Sequence, residues 1–163
     1  MREPKPIEGA RALLFERLMD DDPKSLKEEP HPFRILNKKE LKESVRRELE
    51  RLLNTRCSVP THLLGDVERT IINYGIPDFS SFSAQNADDQ RRLAQIIRET
   101  INAFEPRLRQ VQVTVEPFQK SNRALWVKID GVLLIGSVTE PVSFPVLVQH
   151  RTGGAEIHEH EST

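Results

Sequence analysis

The sharpest constraint on this chain lies in 103-AFEPRLRQVQV-113, where one periodicity stops and another begins. Up to Phe104, apolar residues recur at helical spacing as Leu93, Ile96, Ile97, Ile101 and Phe104. From Val111 onward, Val111, Val113 and Val115 alternate with Gln110, Gln112, Thr114 and Glu116, the pattern of a half-buried strand. Pro106 stands between the two patterns and pushes Glu105 out of the helical region, so the joint is a helix terminus. Neither the stop nor the strand phase needs the opposite charges of Glu105 and Arg107 on either side of the proline. Two readings of that pair stay open. One is a solvated corner whose ion pairs are worth under about 1 kcal/mol. The other is a carboxylate and a planar guanidinium fixed at a rigid joint for bidentate bonds to a partner.

The same periodicities lay out the rest. Ile7, Ala10, Leu14 and Leu18 predict a short amphipathic helix over 7–19, closed by Asp20, Asp21, Asp22 and Pro23. The stretch from Pro23 to Pro32 is rich in proline and charge and reads as a linker, which makes the first helix a candidate detached docking element. Asn37 and Glu40 form a capping-box pattern ahead of Leu41, Val45, Leu49, Leu52 and Leu53, the best-defined helix in the sequence. A further helix is expected from about Leu63 to Tyr74, with Leu63, Leu64, Val67, Ile71 and Tyr74 inward and Gly75 at its C-terminal cap. The segment 75-GIPDFSSFS-83 reads as a loop with Phe79 and Phe82 exposed, and Asn86, Asp88 and Asp89 open the helix that ends at the joint.

Beyond the joint, Leu125, Val127, Ile129, Gly131, Leu133 and Ile135 stay in phase after a turn at 119-QKSNR-123. One long strand with Gly131 as a bulge is preferred over a hairpin at Asp130-Gly131. Val142, Phe144, Val146 and Val148 give another strand, which Pro145 assigns to a sheet edge or a bulge, and 151-RTGG-154 leads to a last short strand around Ile157. The expected fold class is α+β: three to four helices, then an antiparallel sheet of three to four strands. The expected organisation is an N-terminal helix and linker over 1–36, a single domain over 37–157 and a polar tail over 158–163.

Composition removes several functions. With 24 basic against 25 acidic residues among 163, the chain lacks the clustered positive field that nucleic acid or an anionic membrane demands. The charges instead suit helix-surface pairs such as Glu43 to Arg47. A single cysteine, Cys57, excludes an internal disulfide, and no apolar run reaches the roughly 18 residues of a membrane span, so a cytoplasmic location is expected.

Catalytic candidates are few. Glu105 with Glu116 or Asp78 would supply the carboxylates of a glycosidase, which needs the pair about 5 to 10 Å apart, but one Trp and one Tyr offer little for stacking on sugars. His150, His158 and His160 would suit zinc, against the competing account of a fraying polar terminus, 158-HEHEST-163. Cys57 beside Arg56 reads as a small buried residue rather than a nucleophile, and no nucleotide or metallohydrolase motif is present. No cofactor is expected.

The stretches 14-LFERL-18, 46-RRELERLLNTR-56, 70-TIINYGIPDFS-80, 103-AFEPRLRQVQV-113 and 141-PVSFPV-146 together resemble the TssE family, the baseplate wedge component of bacterial type VI secretion systems. That family is related to the lysozyme-like wedge protein of contractile phage tails. The resemblance covers about residues 7 to 150 and rests on NYG-x-PD after one helix and EPR after another. It implies a structural, non-enzymatic role at a cytoplasmic baseplate docked near the inner membrane. It also implies contacts with the TssF and TssG wedge proteins and with TssK, and a platform from which the TssB/TssC sheath polymerises. Glu105, Pro106 and Arg107 are then the contact to the wedge core. Two further partner surfaces are expected: Leu14, Phe15 and Leu18 on the first helix, and Phe144, Val146 and Val148 on the proline-marked strand, through strand addition. The proline-rich linker and the HEHEST tail depart from the family's pattern and inherit no role.

Overall fold

The computed structural model describes residues 10–18, 35–66, 68–117, 124–135, 138–149 and 154–157. Two long helices are built as their sequences dictate. In α2 (Lys38–Asn54) the Asn37 Oδ1 accepts from the Glu40 amide at 3.0 Å while Glu40 Oε2 accepts from the Asn37 amide at 2.8 Å, a complete capping box. Its stripe of Leu41, Val45, Leu49, Leu52 and Leu53 is fully buried. In α3 (Ala87–Phe104) Asn86 Oδ1 accepts from the Asp88 amide at 2.8 Å, and Leu93, Ile96, Ile97 and Ile101 face the core.

Against these helices lies a four-stranded antiparallel sheet in sequence order, β3 (Leu108–Pro117), β4 (Ala124–Ile135), β5 (Val138–Gln149) and β6 (Ala155–Ile157). Leu125, Val127 and Ile129 of β4 and Phe144, Val146 and Val148 of β5 point into the same core as the helix stripes, so the fold is α+β as expected. Asn54, the last residue of α2, ties helix to sheet: its amide nitrogen donates to the Ala155 carbonyl at 2.8 Å and its oxygen accepts from the Ala155 amide at 2.9 Å. A two-stranded ribbon of β1 (Ala10–Arg11) and β2 (Ile35–Leu36) joins the N-terminal segment to the start of α2.

The preference for one long strand over 125–135 holds, but the bulge lies across from Gly131. The β3 to β4 register shifts between Arg109 and Gln112, so two residues of β3, Gln110 and Val111, stand against Gly131 alone. The cause is legible in the spacing. Leu108 and Val111 are both buried, yet an odd separation would send them to opposite faces of a regular strand. Gln110 adopts φ 53° and supplies the extra residue that restores the phase. Gly131 serves a different end: a Cβ there would sit 2.8 Å from Leu108 Cδ1, so the buried Leu108 side chain would have to shift.

Four expectations are corrected. The helix predicted over Leu63 to Tyr74 is instead two 3₁₀ turns, Thr61–Asp66 and Ile71–Asn73. The Asn73 side chain is the reason, because its oxygen accepts from the Thr70 amide at 2.7 Å and its nitrogen donates to the Glu68 carbonyl at 2.9 Å, taking backbone partners that a helix would use. Ile71 and Ile72 point outward at 88% and 86% exposure, Leu63 is exposed, and Val67 lies outside the described residues. Phe79, expected on the surface, is buried, with the Arg56 guanidinium 4.7 Å from its ring centroid; Phe82 is half-buried against the core.

The first helix is shorter than expected. Ala10 and Arg11 belong to β1, and α1 runs only over Leu14–Leu18, with Leu14 and Leu18 outward and Glu16 buried. Ile7 and the linker lie outside the described residues. The segment is therefore not detached: a ladder and a buried carboxylate fix it. The fourth correction concerns Phe144, Val146 and Val148. Their side chains are 2%, 0% and 3% exposed and belong to the core, and the edge of β5 at 146–148 is covered by β6. Pro145 stands just before that ladder begins, at a position that needs no donor on the β6 side.

The bulge yields a test. Gln110→Val places a β-branched side chain at positive φ and should lower stability by about 1–2 kcal/mol, whereas Gln110→Gly should stay within about 0.5 kcal/mol of the parent. Denaturant midpoints at equal slope measure both, and equal loss in the two variants would sink the assignment.

Candidate functional site

At the joint, the proline does what the sequence predicts. Glu105 leaves the helical region at φ −118° and ψ 80° while its amide still donates to the Ile101 carbonyl at 2.8 Å. The chain then turns so tightly that the Arg107 amide donates to Glu105 Oε1 at 3.1 Å and the Leu108 amide to the Glu105 carbonyl at 3.2 Å. This folds the Arg107 side chain back onto Glu105. Nε donates to Oε1 at 2.8 Å and Nη2 to Oε2 at 2.6 Å, a bidentate fork with side-chain exposures of 14% for Arg107 and 5% for Glu105.

The pair is not isolated. Arg107 Nη1 donates to Ser44 Oγ at 2.8 Å, and Ser44, in the buried stripe of α2, donates onward to Glu16 Oε2 at 2.9 Å. Glu16 Oε1 accepts from Arg47 Nη2 at 2.7 Å and Oε2 also accepts from the Leu13 amide at 3.3 Å. The relay Glu105, Arg107, Ser44, Glu16, Arg47 therefore crosses from the α3 to β3 joint, through α2, to α1. Charges alternate in sign along it, and each buried ion has a partner, as a low-dielectric site requires. The solvated-corner reading of Glu105 and Arg107 is overturned, since both are largely buried and their first partners are each other.

Burial pushes the Glu16 carboxyl up, but the hydrogen bonds from Arg47, Ser44 and the Leu13 amide, with the Arg47 charge, outweigh it and hold the group below its ordinary value of 4.5. No pattern in the sequence singles out Glu16. Ser44 does carry a cue, as a hydroxyl three residues after Leu41 and one before Val45 on an otherwise apolar face. The surface pairing expected from Glu43 goes chiefly to Arg46, at 2.7 Å, with Arg47 at 3.8 Å, because Arg47 is engaged by Glu16.

The second motif, 73-NYGIPD-78, is a scaffold. Gly75 has φ 106°, and a Cβ there would lie 2.3 Å from the Thr55 carbonyl oxygen, so only glycine lets 74–76 pass the end of α2. Tyr74 meets Phe104 edge to face at 5.1 Å, and Arg69 lies over the same Phe104 ring at 5.0 Å while donating to the Gly75 carbonyl at 2.9 Å. Asp78 accepts from the Ser80 amide and hydroxyl, each at 2.9 Å, and these bonds hold its carboxyl below the ordinary range. A raised value is what a glycosidase acid would need.

The remaining catalytic candidates gain no support. Glu116 lies near the far end of β3, roughly 25 Å along the strand from Leu108, beyond the span of a carboxylate pair with Glu105. Cys57 is buried and its sulfur accepts from the Val59 amide at 3.4 Å. His150, His158 and His160 lie outside the described residues. Of the expected partner residues, Pro106, Leu14 and Leu18 are on the surface, Glu105 is buried, Arg107 is nearly so, and Phe15 lies on α1.

The relay sets two expected outcomes. Arg107→Ala strands a buried carboxylate and should cost about 3–5 kcal/mol by denaturant unfolding, whereas Glu105→Met with Arg107→Met should cost clearly less than either single change; a double variant as unstable as the sum of the singles would contradict the pairing. Because the Glu16 value is lowered, its contribution is fully present above the unfolded value and is lost as pH falls through the folded one. Glu16→Gln should accordingly flatten the fall in stability below about pH 4.5, measured as melting temperature against pH, and a profile parallel to the parent would exclude Glu16 as a source.

The family model described as baseplate wedge protein gp25 matches residues 39–136, more than half of the chain, from α2 through the Glu105 to Arg107 joint to the end of β4. A search of curated proteins gives no match. Among solved structures, a chain of the baseplate complex from the type VI secretion system aligns with a TM-score of 0.50 and 18% identity, over 68% of this chain and 96% of that one. That likeness is one of fold.

Proposed function

The chain belongs to the family of baseplate wedge protein gp25, and from that premise we propose that it is a structural subunit of a type VI secretion baseplate, joining the wedge complex to the contractile sheath and helping sheath polymerisation to begin. The observation that carries the reading is the family match, which spans the two core-forming helices and the joint between them and the sheet. The fold likeness to a chain of a type VI baseplate complex supports it. In this reading the partners are TssF, TssG and TssK on the wedge side and TssB/TssC on the sheath side, and the protein works in the cytoplasm against the inner membrane. No described helix is long and apolar enough to cross a membrane.

In this reading the joint meets its partner through the residues it leaves exposed. With Glu105 and Arg107 saturating one another, they act as the clamp that sets the corner, and exposed Pro106, Arg109 and Gln110 are the surface a wedge partner touches. Leu14 and Leu18 of α1 form a second contact, since they stand one helical turn apart at 64% and 75% exposure.

Affinity capture with this chain as bait tests the function: TssF and TssG co-purify with the wild-type chain, and recovery of neither would overturn the assignment. Leu14→Asp with Leu18→Asp, both on the surface, should reduce recovery by about tenfold without lowering the melting temperature. Undiminished recovery would remove α1 from the interface.

A further inference from the structure

The helix layer and the sheet separate at one end of the core. Along β5 the inward-facing series Val148, Val146, Phe144 and Val142 steps out to Glu140 on the same face, and along β4 it reaches Leu133, the residue paired with Glu140. Across from them α2 begins at Lys38. The space between is a groove of about 470 Å³, floored by Leu133 and Val142, rimmed by Lys38, Lys39 and Lys42, and completed by Asn37 and Glu140.

The rim lysines do not serve the helix that carries them. Lys38 and Lys39 stand in its first turn, where the partial positive charge of the helix start disfavours cations, and Lys38 and Lys42 are like charges at i,i+4. Glu40, the acidic residue of that turn, is engaged in the capping box, and Lys38 pairs with Glu140. Lys39 and Lys42 are exposed and enter no ion pair among the described residues. Three ammonium groups thus face one lining carboxylate, a local positive excess on a chain whose net charge is -1.

We propose that this groove docks a short acidic segment of a partner protein, with one large apolar side chain seated over Leu133 and Val142 and carboxylates on Lys39 and Lys42. The charge excess selects the acidic residues. The apolar floor, extended by the lysine stems, selects the anchor. A small polar metabolite is a poor fit, because ammonium groups are undirected point charges, the Asn37 oxygen already accepts from the Glu40 amide, and Glu140 is held by Lys38. A compact phosphate would meet the Glu140 carboxylate at close range, whereas a peptide spreads its charges along the rim. A membrane surface cannot follow the floor into a recess between two layers.

Fluorescence anisotropy with the full-length chain tests this. The probe is a labelled peptide of aspartates and glutamates around one central phenylalanine, with two twins, one carrying asparagine and glutamine for the acids and one carrying serine for the phenylalanine. The parent should bind the acidic peptide at least about fivefold more tightly than either twin, and added salt should weaken that binding. Lys39→Gln with Lys42→Gln should reduce the affinity by at least about fivefold and leave the melting temperature unchanged or raised, since the start of α2 loses two unfavourable charges. Arg91→Gln with Arg98→Gln removes the same net charge from the exposed face of α3 and should leave the affinity within about twofold. Equal binding of the three peptides, or equal weakening by the two charge variants, would overturn the docking site. A clear fall in the melting temperature of the lysine variant would assign the lysines to the fold instead. Two further results would also overturn the proposal. Sedimentation of the parent, but not of the lysine variant, with phosphatidylglycerol vesicles would make the groove a membrane contact. Tight peptide binding by a chain with Asp20→Asn, Asp21→Asn and Asp22→Asn, where the parent shows none, would make it the seat of the chain's own acidic run.

Discussion

The rest of the structure hangs on the fork between Arg107 and Glu105. A helix that ends at a proline must pass its chain into a sheet, and the turn that does so brings a guanidinium and a carboxylate two residues apart into the interior. Leaving either ion alone there would cost several kcal/mol, so the two constrain each other's rotamers and, through them, the exit angle of β3. The third nitrogen of Arg107 then reaches α2 at Ser44, fixing the strand's origin against the other long helix. One tight turn thereby sets the relation of both helices to the sheet.

The course of β3 is a consequence of that start. Leu108 enters the core immediately after the turn, and Val111 must enter it too, three residues later. The chain reconciles them by placing Gln110 in the left-handed region and by using glycine at position 131 on the neighbouring strand, where a Cβ would crowd the Leu108 side chain. The cost of a strained glutamine is small beside the burial of two large apolar side chains. Past the bulge the strand runs in simple alternation, and the sheet adds strands in sequence order.

The long elements share one apolar core, and the short N-terminal helix is joined to it by polar bonds among the described residues. The core joins every long element, and the NYGIPD loop is locked by side-chain bonds from Asn73, Asp78 and Arg69. Among the described residues, α1 turns Leu14 and Leu18 outward and is tied to the body by the β1 to β2 ladder and the buried Glu16 carboxylate. A rigid corner offers shape to a partner at low entropic cost.

The sequence by itself determined the elements whose signal is local. The capping box at Asn37, the stripes of α2 and α3, the stop at Pro106 and the valine alternation of β3 are all written in spacing and side-chain type, because helix and strand periods act within a few residues. It did not determine the segment from Leu63 to Tyr74, where apolar spacing predicts a helix and the Asn73 side chain takes the backbone groups that a helix needs. Nor did it determine the partners of Glu105 and Arg107. Adjacent opposite charges read alike whether solvated, buried or exposed for a partner, and the choice was made by Ser44, 63 positions away from Arg107, and by Glu16, 28 positions from Ser44. Burial is a property of what packs on top, so only the tertiary structure decided that the charges at the proline are the clamp of the fold.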